Sequence, residues 1–127
     1  MPFITWTCAQ RVVNLAIFST PGEIDLRINS NSECSTVLPS RGEGEVETVK
    51  VRAVPLQELL RELQVEQVDL VKVDIEGAEI AMFDGCSDEF ISRIPQFTIE
   101  FHDFNHLVSR ADVVRTVSAC KNLGSSA

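Results

Sequence analysis

Two short segments of this 127-residue chain carry titratable side chains at alternate positions: VDLVKVDIEGAE over residues 68–79 and QFTIEFHD over residues 96–103. Successive side chains of an extended chain point to opposite faces. Lys72, Asp74 and Glu76 therefore share one face of the first segment, and Thr98, Glu100 and His102 share one face of the second. A carboxylate or imidazole set against a reacting hydroxyl can take its proton, and an unperturbed imidazole titrates near neutrality. His102 is the first candidate for a general base, with Asp74, Glu76 and Glu100 to orient an acceptor or share the proton. The same four residues also offer hard oxygen ligands and one imidazole, a donor set that suits a divalent cation. The residues alone leave both uses open.

The elements that position them follow from spacing. Residues 77–94 are long enough for a helical crossover and too long for a tight hairpin, so the unit reads as β-α-β with parallel strands. Parallel strands covered on both faces normally read as near-continuous apolar runs. Polar residues at alternate positions here need partners or a cleft, and in open α/β sheets the cleft lies beyond the carboxyl ends of the strands, where Asp74, Glu76, Glu100 and His102 fall. A sheet with one wet face is the alternative. Lys72, deeper in its strand, is expected to neutralise Asp74 or Glu100, because an unpaired buried charge is costly. Gly77 permits a sharp strand-to-helix turn. Glu79 then falls in the first helical turn, where a carboxylate favours the positive end of the helix dipole, and that structural role is preferred. His106 reads as a surface residue.

The run Lys72-Val73-Asp74-Ile75-Glu76-Gly77-Ala78-Glu79, followed by Met82-Phe83-Asp84-Gly85 and then by Phe97-Thr98-Ile99-Glu100-Phe101-His102, resembles the signature half of the FkbM-type methyltransferases. Upstream, VVNLAIFSTPGEIDLRI at 12–28 looks like that family's third strand and the hairpin after it. VPLQELL at 54–60 looks like its strand-to-helix passage, with Pro55-Leu56-Gln57 in place of the usual Thr-Leu-Asp. The resemblance implies S-adenosylmethionine as methyl donor and a hydroxyl of a small molecule, sugar or lipid as acceptor. It also implies a class I methyltransferase fold, Rossmann-like α/β with a mainly parallel sheet.

The family's first strand, with its glycine-rich turn toward the cofactor, and its second, ending in a ribose-holding acid, have no counterpart in this sequence. Gly22, Gly42, Gly44, Gly77, Gly85 and Gly124 are its six glycines, none in a strand-turn-helix cluster. Residues 1–127 are expected to form a partial domain lacking those two strands, as a fragment or a late-starting gene product. Under this reading no cofactor-binding residue and no metal ligand is assigned. A non-catalytic remnant acting as a binding module is the alternative, beside the carboxylate-histidine metal site.

Composition sets outer limits. The length suits one small domain with 44% hydrophobic residues. A net charge of −8 and a pI near 4.7 argue against tracking nucleic-acid phosphates and disfavour acidic substrates. The amino terminus has no basic region before an apolar run, and no segment approaches the length of a membrane span, so a cytoplasmic location is expected. Cys8, Cys34, Cys86 and Cys120 are scattered without a CxxC pair, which predicts free thiols.

The remaining pattern is ordinary α/β. Residues 12–18 and 23–28 read as strand, turn, strand, and residues 29–45 as a polar loop that either borders a substrate site as a lid or merely connects. Alternation over 47–54 predicts a strand, and Leu56, Leu59, Leu60 and Leu63 predict an amphipathic helix opened by Pro55. A helix with Ile80 and Phe83 should stop near Gly85, with Phe90, Ile91 and Ile94 continuing the apolar cover. Val113, Val114, Val117 and Cys120 mark a last helix ending near Gly124.

Overall fold

The computed structural model describes residues 10–28, 47–102 and 108–124. Strand β1 (Ala16–Ile17) is followed by β2 (Gly22–Ile28) and β3 (Glu47–Val54). β3 alternates Val49 and Val51 with polar neighbours and ends in the buried pair Ala53 and Val54, so it can be paired on both edges. β2 joins it antiparallel from Gly22 opposite Ala53 to Ile28 opposite Glu47, and β1 joins it parallel on the other side. The hairpin expected within residues 12–28 is thus opened by β3, which lies between its two arms. The first arm shrinks to two strand residues, with Val12 and Val13 exposed.

Helix α1 (Leu56–Glu62) starts after Pro55, as its fixed φ and missing N–H favour. It ends in a Schellman arrangement. Gln64 N–H donates to Arg61 O at 3.1 Å and Val65 N–H to Leu60 O at 2.9 Å, with Gln64 left-handed at φ 57°.

The second half is the β-α-β unit. β4 (Val71–Val73) and β5 (Phe97–Ile99) pair in parallel, with α2 (Glu79–Asp84) and α3 (Asp88–Ser92) in the crossover. The crossover is two helices because α2 stops at Gly85 and Ser87 restarts the chain, its Oγ accepting the Phe90 N–H at 3.1 Å. Gly85 is required by space: a Cβ there would lie 2.9 Å from the carbonyl oxygens of both Phe18 and Ser19. Helix α4 (Arg110–Gly124) packs on α2 and α3.

Val73, Met82, Phe83 and Ile91 form the buried centre, with Ile17, Leu56, Phe97, Ile99 and Cys120 packed around it. The Phe83 and Phe97 rings meet at 5.5 Å between centroids. The class is mixed α/β, as expected. The single, mainly parallel sheet is not found among the described residues. They form a mixed three-stranded sheet, whose longest ladder is antiparallel, and a separate parallel pair. Side-chain packing of Ile17 against the Val73 cluster, rather than strand pairing, joins the two. The expected lid, Cys8, Cys34 and His106 lie outside the described residues.

Candidate functional site

The site begins where the parallel strands stop. The last rung of the β4–β5 pair is the Glu100 N–H donating to Val73 O at 2.9 Å, so Asp74, Glu76, Glu100 and His102 all lie past the strand ends. After β4 the chain turns through two left-handed residues, Glu76 at φ 50° and Gly77 at φ 101°, before α2 starts at Glu79. Glycine takes that conformation without cost, whereas Glu76 holds it at about 1–3 kcal/mol. The sharp turn expected at Gly77 is present.

That turn brings Glu79 under the loop. Its side chain is fully buried, and its Oε1 accepts the Gly77 N–H at 3.1 Å and lies 2.7 Å from His102 Nδ1. A carboxylate oxygen in that position accepts, so Nδ1 carries the proton and Nε2 is the nitrogen presented to the site. His102 is itself 4% exposed. Its Nε2 faces Glu76 Oε2 at 3.4 Å and Asp74 Oδ1 at 3.7 Å. Burial is the largest single influence on the imidazole and pulls its pKa down. The hydrogen bond and charge of Glu79, then the charges of Glu76 and Asp74, prevail and leave it raised above the usual histidine value.

Three of the four residues expected at the site therefore meet: one atom each of Asp74, Glu76 and His102 lie within 4.8 Å of one another. Glu100 does not join them. Glu100 continues the exposed face of Thr98, and the alternation breaks only at His102, which is buried. Lys72 is exposed as well, and among the described residues no ion pair joins it to Asp74 or Glu100. The neutralising role expected of it assumed a buried strand face, and a two-stranded sheet leaves that face in water. Glu79 is the residue for which the sequence pointed to a helix-dipole role ahead of catalysis. Its position two residues past a turn glycine, with a second carboxylate at Glu76, was the available signal. A wide cleft of about 1360 Å³ lined by Pro55, Leu60, Val68, Phe90 and Ile94 lies elsewhere and includes none of these side chains.

A buried carboxylate holding an imidazole at Nδ1, with further carboxylates before Nε2, can accept and pass a proton. The Methyltransferase FkbM domain matches residues 8–121, a span that contains both strand ends and the turn between them. The chain belongs to the FkbM methyltransferase family. In this FkbM chain the matched region holds Asp74, Glu76, Glu79 and His102 together. The chain is also similar to the AMB antimetabolite synthetase AmbE of Pseudomonas aeruginosa, 30% identical over 67 residues, which cover 53% of this chain and 3% of that protein. No solved structure matches. Among the described residues no helix is long and apolar enough to cross a membrane.

Proposed function

We propose that this chain serves methyl transfer from S-adenosylmethionine to a hydroxyl group of a small molecule, sugar or lipid, with His102 as the base. The observation that carries this reading is the Glu79–His102 pair, which fixes Nδ1 as the protonated nitrogen and turns Nε2 toward the carboxylates at the strand ends. When bound, S-adenosylmethionine supplies an electrophilic methyl group and leaves as a neutral thioether. The acceptor hydroxyl must lose its proton as the new C–O bond forms. Nε2 is the atom suited to take it, and Glu79 would stabilise the imidazolium that results. Asp74 and Glu76, at the rim, are suited to accept hydrogen bonds from other acceptor hydroxyls and so hold the reacting one in line.

The described residues fit the acceptor half better than the donor half. Gly22 and Gly77 are left-handed singly, at φ 147° and 101°, and neither belongs to a glycine-rich cradle. A cytoplasmic setting agrees with the free thiols of Cys86 and Cys120.

The test is transfer of labelled methyl from S-adenosylmethionine, at millimolar concentration, into an extract of hydroxylated metabolites, sugars and lipids. Ether-linked label that disappears with His102→Gln supports the reading. No transfer to any hydroxyl by the wild type would sink it.

A further inference from the structure

We propose that Asp74, Glu76 and His102 bind one divalent cation, with Glu79 as the positioning residue behind the imidazole. The first support is distance. Nε2 stands 3.4 Å from Glu76 Oε2 and 3.7 Å from Asp74 Oδ1, whereas charge-assisted N–H···O bonds are about 2.7–2.9 Å long. Two ligands each about 2.1 Å from a tetrahedral ion lie roughly 3.4 Å apart. The gap is wider than a proton bridges well and close to what a metal ion spans. All three donor atoms lie within 4.8 Å of one another, so one ion can reach them together.

The imidazole is oriented as ligand histidines are. Its Nδ1 is committed to a buried carboxylate, which fixes the tautomer and leaves Nε2 to face the cluster, the arrangement in which an outer carboxylate strengthens a metal-bound histidine. Glu79 carries an independent sign of missing positive charge. It is fully buried, and its Oε2 has no hydrogen-bond partner among the described residues. Among the described residues it makes, with Asp74 and Glu76, three carboxylates around one imidazole, and Lys72, the nearest basic residue in sequence, is exposed and has no ion pair there with Asp74 or Glu79. A divalent ion before Nε2 would supply that charge.

The donors choose the class of ion. Two carboxylates and one imidazole, with no thiolate, suit first-row divalent ions from Mn²⁺ to Zn²⁺, while Ca²⁺ would require six or more oxygens. Asp74 is exposed and Glu76 half-buried, so the outer coordination positions face solvent and are open to water or a hydroxylated ligand. This inference goes beyond the methyl-transfer reading and stands without it. With the ion bound, Nε2 is a ligand, and coordination rather than the imidazole would acidify a bound hydroxyl.

The test is titration of Mn²⁺ into the metal-stripped full chain, with free Mn²⁺ read by electron paramagnetic resonance. One ion per chain at micromolar concentration is expected, weakened at least tenfold by Asp74→Asn and by Glu76→Gln, and about 10–100-fold by Glu79→Gln. Asp74 is exposed, so its variant keeps the fold and decides the matter by itself; circular dichroism checks the others. No binding by the wild type, or equal binding by Asp74→Asn, would overturn the site. Methyl transfer by a chain that takes up no Mn²⁺ in the titration overturns the ion site and keeps the enzyme; Mn²⁺ binding without methyl transfer does the opposite.

Discussion

Glu79 follows β4 and His102 follows β5, 23 residues apart in the chain, yet Oε1 of the one lies 2.7 Å from Nδ1 of the other, in a position where the carboxylate is wholly out of water. The same oxygen accepts the Gly77 N–H, so one side chain ties the turn after β4 to the segment after β5. Removing it takes the side-chain acceptor from the Gly77 N–H and from the imidazole Nδ1 at once.

Glu79→Ala is therefore expected to cost about 3–5 kcal/mol of folding stability, the range for breaking a buried charged pair. Glu79→Gln keeps an acceptor for one donor and should cost less. Urea unfolding measures both, and a loss below about 1 kcal/mol for the alanine variant would show that the pair does not hold the turn.

In a methyl-transfer assay, His102→Ala and Asp74→Asn should each reduce turnover on the order of a hundredfold or more, the usual loss for a positioned acid or base. Glu100→Gln should have a much smaller effect, because Glu100 is exposed beyond the last rung and stands outside the cluster. Near-normal turnover in the His102 variant would move the role to Asp74 or Glu76. A Glu100 loss equal to that of Asp74 would mean that the acceptor reaches round the end of β5.

S-adenosylmethionine should bind the 127-residue chain weakly or not at all at micromolar concentration, since among the described residues neither a glycine-rich turn nor a ribose-holding acid accompanies the site. Calorimetric titration reads this directly. Stoichiometric binding in that range would mean that other residues of the chain build the cofactor site.

The parallel pairing of β4 with β5 was legible because an 18-residue gap with Ile80, Phe83 and Ile91 admits a helical crossover and little else. The meeting of Asp74, Glu76 and His102 was legible from alternation and from the rule that clefts open past strand ends. Alternation misled at His102, which turns inward where the pattern keeps it on the exposed face of Thr98 and Glu100, and so Glu100 was grouped with it. Glu79 was hidden for a different reason. Its partner is 23 residues away, and a dipole-favoured carboxylate in a first turn looks the same in sequence whether it faces water or a buried imidazole. The insertion of β3 between β1 and β2 is a tertiary choice, made by the buried Ala53 and Val54 end of β3, that local turn signals do not encode.

Cys86 and Cys120 should react slowly with iodoacetamide in the folded chain. Burial raises the Cys86 thiol pKa, against a smaller opposing backbone hydrogen bond at Gln57; burial and then the Asp88 charge raise that of Cys120. Only the thiolate attacks, so a raised pKa means less reactive species at neutral pH and a rate that climbs at higher pH than for an ordinary thiol. Site-resolved mass spectrometry in buffer and in urea checks this. Equal rates in the two would contradict it.

Two substitutions involving glycine should move stability in opposite directions. Gln64 holds a left-handed conformation at the end of α1, φ 57°, where a side chain pays a steric cost and glycine does not. Gln64→Gly should therefore stabilise by up to about 1 kcal/mol, less what glycine gains in the unfolded chain. Gly85 has an ordinary φ of −83°, so alanine fits its backbone, but the new Cβ would press on the Phe18 and Ser19 carbonyl oxygens at 2.9 Å. Those are backbone atoms that cannot swing aside, and Gly85→Ala should cost about 1–3 kcal/mol. Thermal unfolding of both variants separates the two causes. A neutral Gly85→Ala would mean that the segment before β2 is not seated on the end of α2, and that the packing of Ile17 and Leu56 carries the link between the first half of the chain and the site-bearing half.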